Sequence, residues 1–280
     1  MFVEAYKRAF GVLKSKPIRL WGLSLLVGVI SIVSVLFSLW FLPVGIAFCM
    51  VIECGMAKVY LDGLKGKEVN TDQIFEGCKS GKAFFRIAGG MAWRSLWEFI
   101  WSLVAVVAYF FGMLPVIFSV SSLGRMLTHS YSYGYDYGLG SVATLGSAVL
   151  WLVVVVLGII PGIYKSYQYR FVPYILITRS DVNATAALRL SKEMTKGKKG
   201  QMFLADIVLG AGMAVVMLVL SIFGAIPVIG GLFRFLAVVV NIIYGLFAPI
   251  FLGLSRAAFY EEVPVQAAIP EDTTANSENL

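Results

Sequence analysis

The sequence predicts an all-α integral membrane protein of six transmembrane helices, and two observations carry that prediction. The 280 residues are 59% hydrophobic and 14% charged, with a mean hydropathy of +0.83, where soluble domains hold roughly 45–50% apolar and about 25% charged residues. The excess gathers into uncharged runs at residues 20–52, 99–124, 137–164, 207–233 and 235–255. Each is long enough for the roughly 20 residues of helix that cross a bilayer, which excludes a soluble enzyme.

The run at 20–52 would measure about 50 Å as one helix, too long for a hydrocarbon core of about 30 Å. It therefore turns at Pro43, with Trp40 at the lipid interface, and gives spans at 18–41 and 44–61. A third span covers 97–118, with Trp93, Trp97 and Trp101 as an aromatic belt at its entry. A fourth covers 142–163. Gly224, Pro227, Gly230 and Gly231 break the run at 207–233, so a fifth span takes 203–223 and a sixth 232–255. Residues 1–260 thus read as a single six-span membrane domain, and 261–280 as a disordered acidic cytoplasmic tail. The first span is too long for a signal-peptide core and lacks a cleavage pattern after it, so it reads as retained.

Nineteen of the 23 lysines and arginines fall before the first span, between the second and third, between the fourth and fifth, or after the sixth. The positive-inside rule then places both termini in the cytoplasm. Those loops account for the formal charge of +7, and nucleic acid is not an expected partner. Cys49, Cys54 and Cys78 form no CxxC pair, so no disulfide framework, metal site or cofactor is expected. Asn183-Ala-Thr185 matches a glycosylation acceptor but falls on the cytoplasmic side, where the match is incidental.

Each pair of spans follows a similar basic segment: Phe10 to Pro17, Ile74 to Phe84, and Leu188 to Lys198. In each, apolar residues at helical spacing end in a Lys-rich stop containing Gly or Pro. The unit this suggests is a helical hairpin preceded by an amphipathic interfacial helix, repeated three times, with basic residues towards anionic lipid. Leu42-Pro43-Val44, Leu114-Pro115-Val116 and Ile226-Pro227-Val228 recur near outer span ends and support it. The competing explanation is that basic inner loops produce such likeness by composition alone, and the sequence leaves both open.

The most distinctive stretch reads Ile159-Ile-Pro161-Gly162-Ile-Tyr-Lys165, then Pro173-Tyr174-Ile-Leu176, then Ala187-Leu-Arg-Leu-Ser191-Lys192-Glu193-Met194-Thr-Lys196-Gly197. It resembles the bacterial integral-membrane family called domain of unknown function nine-seven-five. The Leu64-Lys-Gly-Lys-Glu68-Val segment and the closing Ala257-Ala-Phe259-Tyr260 extend the likeness over most of the chain. That family is distantly similar to the membrane domain of glycerophosphoryl diester phosphodiesterases, which supplies no catalytic residues. The resemblance implies a multi-pass protein of the bacterial cell membrane with no assigned activity. The Tyr-rich outer loop at 119–141 departs from the pattern as an insertion.

Charges at the centre of a membrane helix cost about 2.5–3.5 kcal/mol on insertion scales, so each one singles itself out. Glu53 falls near the middle of the second span, and Asn241 lies at a comparable depth in the sixth. They make a candidate intramembrane polar site; the plainer alternative is a protonated Glu53 hydrogen-bonded to Asn241 as glue between helices. Arg94 and Glu98, four apart, are spaced for an interfacial ion pair. Asp206 is within reach of Lys198 or Lys199 in the same way. Lys196, Lys198 and Lys199 are candidate anionic-lipid contacts. Tyr131, Tyr133, Tyr135 and Tyr137 suit glycan or partner contact, and also rest at the lipid interface, which is the favoured expectation. Gly158 and Gly162 permit close helix approach, though a kink at Pro161 is the favoured expectation.

Enzyme signatures are missing. The lone His129 forms neither a HExxH site nor a Ser-His pair inside the membrane, and Gly77 to Ala83 fails the phosphate-loop spacing. The expected function is a non-enzymatic accessory or envelope-maintenance factor acting through lipids, a membrane protein partner or a homo-oligomer. The alternative is a small transporter or channel-like permease with a pathway at Glu53 and Asn241.

Overall fold

The computed structural model describes residues 2–15, 17–38, 41–129, 137–227 and 229–262, and no strand occurs among them. In chain order the helices are α1 (Phe2–Ser15), α2 (Pro17–Ser38), α3 (Leu42–Leu64), α4 (Gly81–His129), α5 (Tyr137–Gln168), α6 (Val172–Thr178), α7 (Ala184–Met194), α8 (Lys199–Gly224) and α9 (Gly230–Glu261). Among the described residues six helices are long and apolar enough to cross a membrane: α2, α3, α4, α5, α8 and α9. The chain divides into two compact units, Met1–Arg94 with Tyr167–Leu280, and Ser95–Ser166.

In the first unit α2 and α3 form one hairpin and α8 and α9 another. Pro43 occupies the first turn of α3, where its missing N–H costs no helical bond. Pro227 lies in the turn between α8 and α9, closed by the Gly230 N–H on the Ile226 carbonyl at 2.7 Å. Both turns share one end of the unit. The opposite end, where the basic residues gather, is packed like a soluble core: Ile52, Ile74, Ile250 and Leu254 are fully buried, each worth roughly 1.5–3 kcal/mol. Away from that end the apolar side chains face outwards, as Ile32 (64% exposed) and Leu218 (61% exposed) do. Such a belt is stable only against lipid.

The three basic segments differ from one another. Before α2 stands α1, which buries Ala5 and Ala9 and sets the Tyr6 ring edge-on against Phe251 of α9. Its other side exposes Val3, Lys7, Phe10 and Lys14. Before α8 stands α7, which buries Leu188, Leu190 and Met194 in protein and exposes Arg189 and Lys192, with Lys196 exposed just past its end. The expected lipid-facing apolar stripe of α7 is therefore already covered, because it packs with α6, which is buried from Val172 to Leu176. Gly197, with φ of 74°, makes the left-handed turn from α7 into α8.

The second segment is not the amphipathic helix that its spacing suggests. It forms two short 3-10 turns, Thr71–Gln73 and Glu76–Cys78. This connector is pressed onto α3: a Cβ on Gly55 would lie 1.9 Å from the Ile74 carbonyl oxygen, and one on Gly77 would lie 2.6 Å from Val51. So close a seat favours the narrower 3-10 turn over a full α-helical turn. The helix then starts at Gly81 rather than near 97 and runs through Gly89-Gly90, where a Cβ on Gly90 would lie 2.6 Å from the Leu176 side chain.

In the second unit α4 and α5 pack by small residues. A Cβ on Gly158 would lie 2.5 Å from that of Ala108, and Gly162 faces Ser102. Trp151 donates to the Tyr109 carbonyl at 3.3 Å, and Lys165 lies 4.6 Å over the Trp101 ring. The close approach that Gly158 and Gly162 permit is realised. Pro161 sits inside a helix that continues to Gln168, so the chain does not leave the helix there. Pro115 likewise lies within α4, unlike Pro43 and Pro227. The outer loop is shorter than 119–141, since α4 runs to His129 and α5 starts at Tyr137. Tyr131, Tyr133 and Tyr135, the Trp40 interface position and residues 263–280 of the tail lie outside the described residues.

Candidate functional site

Polar chemistry in the first unit concentrates at its basic end. Glu53 projects from α3, its side chain 57% exposed, and accepts from Arg94 of α4 at 3.2 Å. The connector at 69–80, with exposed Thr71 and Asp72, seats on α3 at Val51 and Gly55, the stretch that carries Glu53. Polar irregular backbone does not face hydrocarbon. Glu53 therefore lies near the margin of the apolar belt, not at its middle.

Asn241 lies elsewhere. The Tyr60 ring packs on Gly253 where α3 crosses α9, and both helices run from the turn end to the basic end. Counting back seven residues along each puts Glu53 level with Leu246, so Asn241 is a further five residues, roughly 7 Å, towards the turn end. It lines a hollow of about 450 Å³ with Met217, Ala237, Val238 and Ile242. The structure does not converge the two residues on one site. Glu98, the partner that spacing suggests for Arg94, falls in the second unit.

Asp206 is engaged from the end of α5 and the loop after it instead of by the neighbouring lysines. Arg170 reaches it at 2.5 Å and the Tyr167 hydroxyl donates to it at 2.8 Å, with the Arg170 guanidinium stacked 4.0 Å over the Tyr167 ring. Of the three lysines, Lys196 stands 82% exposed with Glu193 4.0 Å away, and the half-buried Lys198 approaches the Glu262 carbonyl at 3.5 Å. A basic surface results from Arg189 and Lys192 of α7, whose apolar side is committed inwards, and from Lys196 in the turn after it.

The distinctive string between Pro173 and Thr195 serves packing. Pro173, Tyr174, Ile175 and Leu176 are buried in α6. Tyr174 stacks on Tyr260 and donates to the Gly253 carbonyl at 3.1 Å. Ser191, fully buried, donates to the Gln168 carbonyl at 2.9 Å and accepts from the Phe171 N–H at 3.2 Å. Asn183 caps α7 by accepting from the Ala186 N–H at 3.0 Å, which gives the apparent glycosylation acceptor a structural role.

Two cations with structural roles escape the sequence patterns. Arg86 donates to the carbonyls of Leu176, Arg179 and Val182 at 2.8, 2.9 and 3.2 Å, closing the free end of α6. Arg170, just described, is the other. Its signal was a single cation in the aromatic string Tyr167-Gln-Tyr-Arg170-Phe. Nearby, α1 is strapped to the later helices: Tyr6 donates to the Ala205 carbonyl, and Arg8 meets Glu261 at 2.5 Å. Among the described residues no cluster of His, Cys, Asp or Glu is arranged to hold a metal ion.

A family model described as "Protein of unknown function (DUF975)" matches residues 13–266. No curated protein and no solved structure matches the chain.

Proposed function

The chain belongs to the DUF975 family, and we propose that it works without catalysis, as an accessory or envelope-maintenance factor that holds anionic lipid or a protein partner at its basic end. In this proposal it resides in a bacterial cell membrane with both termini in the cytoplasm. The supporting observation is the way the basic helices spend their faces. The apolar side of α7 is buried in protein while Arg189, Lys192 and Lys196 point out, and α1 turns Lys7 and Lys14 outwards beside exposed Val3 and Phe10. A surface of apolar anchors flanked by lysines suits an anionic leaflet, at about 1 kcal/mol for each cation near it.

The test is the ratio of anionic to zwitterionic phospholipid that copurifies with the full chain from mixed bilayers, read by mass spectrometry. The variant K196Q/K198Q/K199Q is expected to lower that ratio several-fold. An unchanged ratio would remove the lipid role from these lysines. The permease alternative has less support, because Glu53 is held by Arg94 and Asn241 opens on a different hollow.

A further inference from the structure

Asn241 is out of place in the apolar belt. It lies eleven residues into α9, roughly 17 Å from the turn end, and is exposed beside Val238 and Ile242, themselves 57% and 58% exposed. Its carboxamide makes no hydrogen bond to any of the described residues, and it lines the hollow of about 450 Å³ between Met217 of α8 and Ala237 of α9. One turn along the same face, Gly245 has nothing within 4 Å of the position a Cβ would take.

An amide left unpaired in hydrocarbon is costly, by several kcal/mol where nothing can hydrogen-bond to it. Acyl chains fill a hollow but bring it neither donor nor acceptor. We propose that this face is the docking surface for a second copy of the chain, with the two Asn241 side chains paired across a two-fold axis along the membrane normal. Copies in one bilayer share orientation and depth, so such an axis sets Asn241 opposite Asn241. A carboxamide is its own complement: each NH2 donates to the other Oδ1. Ala237 and Gly245, four residues to either side, let two α9 helices approach closely enough for these short side chains to meet. This surface is separate from the basic end and does not depend on the lipid role proposed there.

The full chain, labelled in separate donor and acceptor pools and reconstituted at graded dilution in zwitterionic vesicles, reports association by energy transfer. The wild type is expected to dimerise. Asn241→Leu, which inserts at least as readily, should raise the dissociation constant roughly three- to thirtyfold, and Asn241→Gln should restore most of it. A wild-type chain that stays monomeric, with or without a retained lipid, overturns the proposal, and so does equal association of wild type and Asn241→Leu. Failure here leaves the copurified lipid ratio unaffected, so the two ideas are separable.

Discussion

The Arg94 guanidinium meets the Glu53 carboxylate at 3.2 Å, and the two are unequally placed: the cation is 18% exposed and the anion 57%. The pair joins α3 to the fourth turn of α4. Because the carboxylate is more than half exposed, solvent screening keeps its contribution small. A double-mutant cycle with Glu53→Gln and Arg94→Met should give a coupling of about 0.5–1 kcal/mol in unfolding from mild detergent. Strictly additive single mutants would show that the contact carries no stability.

Arg86 is worth more than its position suggests, because one guanidinium serves three carbonyls at the end of α6. Lysine is a point charge on a flexible stem and cannot reproduce that fork. Arg86→Lys should cost about 1–3 kcal/mol, seen as a lower unfolding temperature and faster hydrogen exchange at 172–182. Exchange there that matches the wild type would mean the carbonyls find other donors.

Glycines of one helix class should respond in opposite senses. Gly55→Ala drives a methyl into the Ile74 carbonyl, where backbone must move, and is expected to lower stability by about 1–3 kcal/mol. Gly210→Ala meets nothing within 4 Å and should be neutral or stabilising by up to about 1 kcal/mol, the helix-propensity difference. Thermal unfolding of the two variants side by side checks the contrast, and equal effects would contradict the seating of the connector.

Burial raises the Cys78 thiol above its ordinary value. A raised thiol pKa means less thiolate at any given pH below it, so alkylation of Cys78 should lag an exposed thiol near pH 8 and catch up only as the pH rises further. The measurement is the maleimide rate against pH in the Cys49→Ala/Cys54→Ala background. With an impermeant reagent the same residue reports orientation: labelling is expected only from the cytoplasmic side, and labelling from outside would reverse the proposed topology.

The spans were legible because bilayer thickness and uncharged length constrain each other, and the turns at Pro43 and Pro227 follow from what proline cannot do. Partners were less legible. Asp206 lies near Lys198 and Lys199 in sequence, yet Arg170 takes it, because the chain after α5 folds back onto α8. Spacing along a helix reports neighbours on that helix only. Glu53 looked central when depth was counted from Pro43 along a single span; the connector that climbs onto α3 moves the polar margin up to meet it. The segment at 74–84 has helical spacing, yet its first part forms a 3-10 turn at Glu76–Cys78 before α4 begins at Gly81, since its conformation is set by the surface that receives it.

The core at the basic end joins Ala9 from the start of the chain to Ile250 and Leu254 from its last helix, with Ile52 and Ile74 between them. A chain emerging from a ribosome makes these groups in reverse order of need. Until α9 has entered the bilayer, Tyr6 lacks the Phe251 ring, and Tyr174 has neither Tyr260 nor the Gly253 carbonyl. Biogenesis therefore ends in a late closure, and a chain cut short before α9 would present an unfinished basic end to proteases and membrane quality control.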